Sequence, residues 1–294
     1  AQAGLQSAQS ESARPGDLMI VVDAETAEQV TAANAQFAEL LEGNRDVAGD
    51  AASTAQMAPR SIAMALAGAD AQGATLAQIS VPGPYAAAEA MKALRCGLDV
   101  FLFSDNVPLA QEHALKTLAR DKGLLVMGPD CGTAIIHGTP IGFANVVRQG
   151  AISLVGASGT GLQEVTCQIH ALGHGVRHAI GTGGRDVSAE IGGITMMQAI
   201  DLLADDAGTQ AIVIVSKPPA PAVARQILDR ARTIDKPFAV LFLGADLSRE
   251  KLPQRIVPVA TLYDAAAQAV ALCGGPAAGG VAQHDEWLRA ADGE

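Results

Sequence analysis

The sequence predicts an α/β protein built as two doubly wound parallel-sheet domains, and three observations carry that expectation. Hydrophobic residues make up 49% of the 294 positions while aromatics make up 3%, so the core must be aliphatic. Aliphatic runs broken by Gly and Pro suit strands buried on both faces by helices. From Thr75 onward such runs alternate with amphipathic segments, the pattern of parallel βα units with right-handed crossovers. Glycine-rich turns follow several of the runs, and the length suffices for two domains of roughly 100–200 residues each.

Taken in order, residues 17–22 (DLMIVV) read as a short buried strand, and 26–41 as a helix with Val30, Phe37, Leu40 and Leu41 on one face. Residues 42–59 are polar and low in complexity and read as a loop. Strand 76–81 ends in Pro82-Gly83-Pro84 and leads into an Ala-rich helix, 85–95. Strand 99–103, helix 108–122 with proline at its first turn, and strand 124–127 complete the first, Rossmann-like domain, 17–148. Residues 128–148 are rich in turn formers, which puts the domain boundary near Arg148. The second domain, 149–273, has strands at 151–155, 177–181, 211–215, 238–243 and 256–259, with helices at 160–172, 194–204, 220–233 and 262–272. Five strands alternating with helices predict a flavodoxin-like layout. Residues 274–294 read as a flexible tail with one short helix around Trp287. The chain begins with Ala1 rather than Met, and is expected to be a piece of something longer.

The formal net charge of -11, with no basic run, excludes nucleic acid and anionic membranes as partners, since both need clustered Lys and Arg. No apolar stretch reaches the roughly 20 residues of a membrane span, and residues 1–16 carry no signal-peptide pattern. Cys96, Cys131, Cys167 and Cys273 are scattered without a CxxC pair. That favours free thiols in a reducing compartment and a cytoplasmic location. No HExxH occurs, and although His170 and His174 are four apart, Gly173 and Gly175 end the helix there, so no metal is expected.

Ligands of open parallel sheets bind where strands end and helices begin, so the turn after each strand is the place to look for a site. Val155-Gly156-Ala157-Ser158-Gly159-Thr160-Gly161 joins a buried strand to a helix. Ser158 can cap the helix, and Gly159 and Thr160 leave backbone N–H groups open to an anion. The plain alternative is a tight turn that needs glycine for backbone reasons alone. Gly181-Thr182-Gly183-Gly184-Arg185-Asp186 forms a second such turn. Gly183 and Gly184 are its anion-binding candidates, and Arg185 and Asp186 are substrate candidates or merely solvated. An anion between the two turns would meet two helix dipoles. Lys217, closing the third strand of the second domain, brings an ammonium to the same edge, although a lone lysine is more often solvated. Cys131 has no basic partner by spacing, and a buried thiol without a catalytic role is its default reading.

The order of these segments carries a resemblance. Ile79-Ser80-Val81-Pro82-Gly83-Pro84-Tyr85 resembles the VPxxFAA segment of succinyl-CoA synthetase α subunits. Gly128-Pro129-Asp130-Cys131-Gly132 is similar to their GPNCPG, Ser158-Gly159-Thr160 with Glu164 to their SGTLTYE, and Gly181-Thr182-Gly183-Gly184 to their GIGGD. The runs FSDNV (103–107), GLLVMGPDCGT (123–133), FANV (143–146), GASGTG (156–161) and VSKPP (215–219) resemble the FdrA family more closely still. That resemblance implies a subunit of an acyl- or carbamoyl-transferring enzyme, such as an oxamate carbamoyltransferase of purine and allantoin catabolism. It implies a small anionic metabolite as substrate and other subunits of a hetero-oligomeric complex as partners. It also implies CoA or a nucleotide as ligand, a CoA-type pocket at Pro82, Tyr85, Asn106, Asp130 and Cys131, and Lys217, Glu164, Asp186 and Arg185 at the substrate. The alternatives are an acyl-CoA ligase subunit and a non-catalytic, metabolite-binding scaffold.

Two departures from the synthetases stand out. Their phosphohistidine lies in a segment that corresponds to 244–252 here, and no histidine occurs between His178 and His284. Their acidic GEIGG is replaced by Ser216-Lys217-Pro218-Pro219. A lysine would repel the cation that an acid beside an imidazole stabilises, so histidine and acid have been exchanged together. The glycine turn that holds CoA in the synthetases has no counterpart at 22–27.

Overall fold

A computed structural model of the chain describes residues 26–46, 59–68, 71–247 and 250–275. The chain divides into two compact units, Ala1–Arg60 and Ser61–Glu294. Among the described residues of the first unit lies one helix, α1 (Ala27–Asp46). It runs past Leu41 into the stretch read as a loop, because Glu42 and Arg45 favour helix and no proline intervenes before Pro59. The strand expected at 17–22, the rest of that loop beyond Asp46 as far as 58, and the helix around Trp287 lie outside the described residues.

The second unit opens with a short helix, α2 (Ile62–Ala67), whose Ser61 side chain accepts from Met64 N–H. A three-stranded parallel sheet follows, with β1 (Leu76–Ile79), β2 (Asp99–Leu102) and β3 (Val126–Met127) side by side in that order. Helices α3 (Gly83–Arg95) and α4 (Leu109–Lys122) make the crossovers. Alanine at 86, 90 and 93 lets α3 lie close on the sheet, all three with no exposed surface.

The second sheet has seven strands. Its parallel part comprises β6 (Gln149–Gly156), β7 (Val176–Gly181), β8 (Ala211–Ser216), β9 (Phe238–Phe242) and β10 (Ile256–Pro258), in the order β10-β9-β8-β6-β7. That is the doubly wound, flavodoxin-like order the alternation predicts. Between its strands run α5 (Gly159–Ala171), α6 (Ile194–Asp205), α7 (Pro221–Thr233) and α8 (Leu262–Leu272). Strands β8 and β9 are buried along their whole length, as aliphatic runs covered on both faces must be.

One element was not anticipated. Residues within the 128–148 stretch fold as a hairpin, β4 (Thr133–Ile136) and β5 (Thr139–Gly142), which joins β7 antiparallel at the edge of the second sheet. Its two-residue turn, His137-Gly138, has φ of 48° and 79°, the doubly left-handed geometry of a tight hairpin turn. Pro140 sits in β5, the outermost strand, where a missing N–H costs no ladder bond. The change of sheet therefore falls between Met127 and Thr133, ahead of the boundary expected near Arg148. Core packing crosses that change: Phe101 and Met127 of the first sheet and Leu125 just before β3 share one buried cluster with Ile180 and Ile214 of the second sheet and Met196 of α6.

Candidate functional site

The site is built where β6, β7 and β8 end. Ser158 is the N-cap of α5, and its hydroxyl accepts from Gly161 N–H at 3.3 Å. The N–H groups of Gly159 and Thr160 precede any possible intrahelical partner, and both residues are exposed. The neighbouring glycines are forced by contact. A Cβ on Gly156 would lie 2.3 Å from the Val215 carbonyl oxygen, and one on Gly161 would lie 2.9 Å from Val215 Cγ1. The first turn of α5 is thus pressed against the end of β8. Gly159 differs, since its Cβ would meet only Thr133 Oγ1, at 3.8 Å.

Gly183 has φ +82°, and a Cβ there would strike the Pro129 carbonyl at 2.4 Å. Above Gly184 lies Lys217, whose Nζ is 3.0 Å from where a Gly184 Cβ would be. Because β6 lies between β7 and β8, a side chain reaching from the end of β8 to the turn after β7 must cross the carboxyl end of β6. Lys217 thus reaches across the end of β6 to the turn after β7. It is exposed and makes no salt bridge among the described residues. Ser158, Gly159, Thr160, Gly183, Gly184 and Lys217 are brought together at this edge.

The acidic and guanidinium candidates are not gathered there. The Asp186 carboxylate has no exposed surface. It accepts from Thr195 N–H at 3.1 Å and Met196 N–H at 2.9 Å, capping α6, and pairs with Lys116 at 2.8 Å. The second helix N-terminus that an anion was expected to meet is thus already filled by an internal carboxylate. Lys116 is fully buried, pairs also with Glu112 at 2.9 Å, and donates to the Thr182 carbonyl at 2.9 Å. Arg185 pairs with Glu112 at 2.8 Å and donates to the Val107 carbonyl. Among the described residues, Glu112 is held by these two cations, without a directed hydrogen bond. Together these residues tie α4 of the first sheet to the Gly-rich turn of the second. Spacing could not reveal the network, because Lys116 lies 70 positions from Asp186. Glu164 sits a turn further along α5 and accepts from Gln168 at 2.7 Å.

The expected CoA-type pocket fares differently residue by residue. Pro82, Tyr85, Asn106 and Asp130 are exposed at the carboxyl ends of β1, β2 and β3, with Asn106 and Asp130 at φ of 54° and 56°. Cys131 is buried, donates weakly to the Thr133 and Gly181 carbonyls, and packs where a Gly181 Cβ would be. Burial pushes its thiol up to about 11, with the Thr133 contact and Lys116 opposing, so it is neither pocket lining nor nucleophile. The loops at 80–85, 103–108 and 128–132 carry Asp105 and Asp130 and no Lys or Arg. The cation nearest these loops comes from outside them, as Arg185 donates to the Val107 carbonyl.

The structure also brings together a group that spacing missed, with ligand atoms of His137, His178 and Asp206 all within 4.8 Å. Part of its donor set is already engaged. His178 Nδ1 accepts from His137 N–H at 3.3 Å, and both Asp206 oxygens are held by the Arg177 guanidinium. Arg177 and the Thr209 hydroxyl keep the Asp206 carboxyl well below the ordinary carboxylate range, against the effect of burial. Burial, helped by His137, lowers His178 to about 4.

Two parallel sheets with capped, glycine-rich turns define a fold shared with CoA ligases and synthetases. Residues 147–244 match the family model described as CoA binding domain. The match lies on the second sheet, not on the first, where the resemblance had put a CoA-type pocket. The chain is 48% identical over 240 residues to the Escherichia coli K12 protein named "Uncharacterized protein YahF", covering 82% of this chain and 45% of that one. It is 28% identical over 143 residues to the ADP-forming succinate–CoA ligase subunit alpha 2 of Archaeoglobus fulgidus, covering 47% of this chain and 48% of the ligase. The apo dinucleotide-forming acetyl-coenzyme A synthetase 1 of Candidatus Korarchaeum cryptofilum superposes with a TM-score of 0.53 at 18% identity. That superposition covers 68% of this chain and 48% of the synthetase, and it speaks to the fold alone. The chain spans about half the length of the curated relatives it matches. Among the described residues, no helix is long and apolar enough to cross a membrane.

Proposed function

We propose that this chain is the α-subunit-like module of an acyl- or carbamoyl-transferring enzyme related to the CoA ligases, and that it binds a small anion at the N-terminus of α5 without a phosphohistidine. The observation that carries this reading is the Lys217 ammonium beside Gly184, at the edge of the sheet where the capped and exposed first turn of α5 begins. A phosphate or carboxylate there meets oriented N–H donors, the positive end of a helix and an ammonium together. Catalysis in such a site is positioning and electrostatic stabilisation of developing charge. The resemblance to FdrA proteins directs the finer reading to carbamoyl transfer, with carbamoyl phosphate or oxamate as the anion. Other subunits would supply the remaining groups of a cytoplasmic complex.

A second reading, an acyl-CoA ligase subunit using a nucleotide, is favoured by the alpha subunits of CoA ligases among the relatives. Isotope exchange between ADP and ATP, or acid-labile phosphate on the protein, would select it over the first.

The test of the anion site is a ligand-shift screen of the chain and its Gly159→Val variant against phosphate, carbamoyl phosphate, oxamate, ATP and CoA. Valine has room at 159, so the fold should persist while its side chain covers the N–H groups and anion binding falls. Unchanged affinity for every anion would make the turn purely structural.

A further inference from the structure

The segment from Pro129 to Thr133 runs along one side of the anion site. At one end the Pro129 carbonyl oxygen presses on the turn after β7, 2.4 Å from where a Gly183 Cβ would be. At the other end Thr133 Oγ1 is the neighbour that a Gly159 Cβ would meet, at 3.8 Å. The segment thus joins the Gly183–Gly184 turn, where the Lys217 ammonium lies, to the exposed first turn of α5.

Its backbone is held from the first sheet. The Asp130 N–H donates to the Ser104 carbonyl at 3.0 Å, and the Cys131 N–H to the Leu102 carbonyl at 3.3 Å. Pro129, Cys131 and Thr133 are buried, Gly132 has no side chain, and Asp130 is exposed. The φ of Asp130, 56°, lies in the left-handed region, which Asp and Asn enter more readily than other residues with a Cβ. Among the described residues its carboxylate makes no salt bridge. Asp130 is three residues from Thr133, at most about 11 Å along the chain, so a ligand a few bonds long suffices to join the two.

The two sides of the site are chemically opposite. The second sheet offers the N–H groups of α5 and the Lys217 ammonium. The first offers Asp105 and Asp130, with no Lys or Arg in its loops, and Arg185 beside them is paired with Glu112. A carboxylate there repels a ligand that is negative throughout. It attracts one whose far end carries N–H donors.

We propose that Asp130 is a specificity-determining residue of the anion site, accepting from an amide or amino group at the end of the ligand opposite its phosphate or carboxylate. The substrate class is then a short anion with a terminal nitrogen. The inference rests on the anion site described under the proposed function.

The test titrates the chain calorimetrically with two pairs of probes matched in shape, oxamate with pyruvate and carbamoyl phosphate with acetyl phosphate. Each pair exchanges an amide NH2 for a methyl group. The amide should bind at least about tenfold more tightly in both pairs, because the methyl analogue leaves the acceptor unpaired. Asp130→Gly, which suits the left-handed backbone, should bring the preference to within about twofold of unity. Pyruvate and acetyl phosphate should bind that variant as well as before or better, since a like charge has gone. Asp130→Asn, of the same shape without the charge, should weaken the preference in the same direction. Equal binding of amide and methyl probes to the parent, or a preference that survives Asp130→Gly, would overturn this inference and leave the anion site standing. So would a fall in all four affinities together in both variants. No saturable binding of any of the four probes to the parent would overturn the anion site and this inference with it.

Discussion

Replacing Lys116 by methionine removes one cation from a network of four charges with almost no access to water. Lys116 and Asp186 have no exposed side-chain surface and Glu112 has 1%, while Arg185 reaches the same cluster from a half-exposed position. Two positive and two negative groups balance in the parent. Lys116→Met leaves both carboxylates with Arg185 as the single cation, and strands the Thr182 carbonyl that Lys116 caps. Breaking a buried pair by removing one partner costs about 3–5 kcal/mol, a large part of the roughly 5–15 kcal/mol of a typical domain. Methionine keeps the apolar stem packed, so the loss is electrostatic. Adding Glu112→Leu restores the balance, and the double variant should recover about 1–3 kcal/mol relative to the sum of the single changes. Urea unfolding followed by circular dichroism gives all the quantities of the cycle. A Lys116→Met cost below about 1 kcal/mol, or strict additivity, would refute the claim that this network fastens α4 to the turn carrying Gly183 and Gly184.

Two further outcomes concern titrating groups. His178 is held neutral down to about 4, against about 6.5 in an unfolded chain. Between those values the unfolded state takes up a proton that the folded state refuses, so stability should fall as pH drops from 6.5 to 4. The slope contributed is at most about 1.4 kcal/mol per pH unit. His178→Gln should flatten it in urea midpoints measured across that window, and an equal decline in parent and variant would exclude His178 as the cause. Cys131, buried and with its thiol pushed up to about 11, should resist iodoacetamide at pH 8 in the folded chain while exposed Cys96 reacts. Mass spectrometry of the labelled peptides checks this, and rapid native labelling at 131 would contradict the burial of its thiol.

The βα units were legible because aliphatic runs and amphipathic helices differ in period. Strand β8 and helix α8 fall within a residue of the expected bounds. The β4–β5 hairpin was not, since Thr133 to Gly142 is only eight strand residues around a His-Gly turn. The two positive φ angles at that turn are its local signal, and a histidine in the first of them hides it. At the site, local chemistry was readable and distant chemistry was not. Ser158 announces its cap three residues ahead of the N–H it binds. Asp186 looks like a loop acid until Lys116, Thr195 and Met196 close around it. Conversely, nothing in Ser216-Lys217-Pro218 says that the lysine reaches Gly184. That reach depends on β6 lying between β7 and β8, a property of the sheet order.

The most direct test of the anion site is therefore at Lys217. Titrations with carbamoyl phosphate and oxamate at fixed salt should compare the parent with Lys217→Ala and Lys217→Glu. A charge-assisted contact is worth about 1.5–3 kcal/mol, and about 1.4 kcal/mol corresponds to a decade in affinity. Lys217→Ala should then weaken binding roughly ten- to a hundredfold, and Lys217→Glu should abolish it. Affinities for both variants within twofold of the parent would contradict the account and leave Lys217 a solvated surface residue.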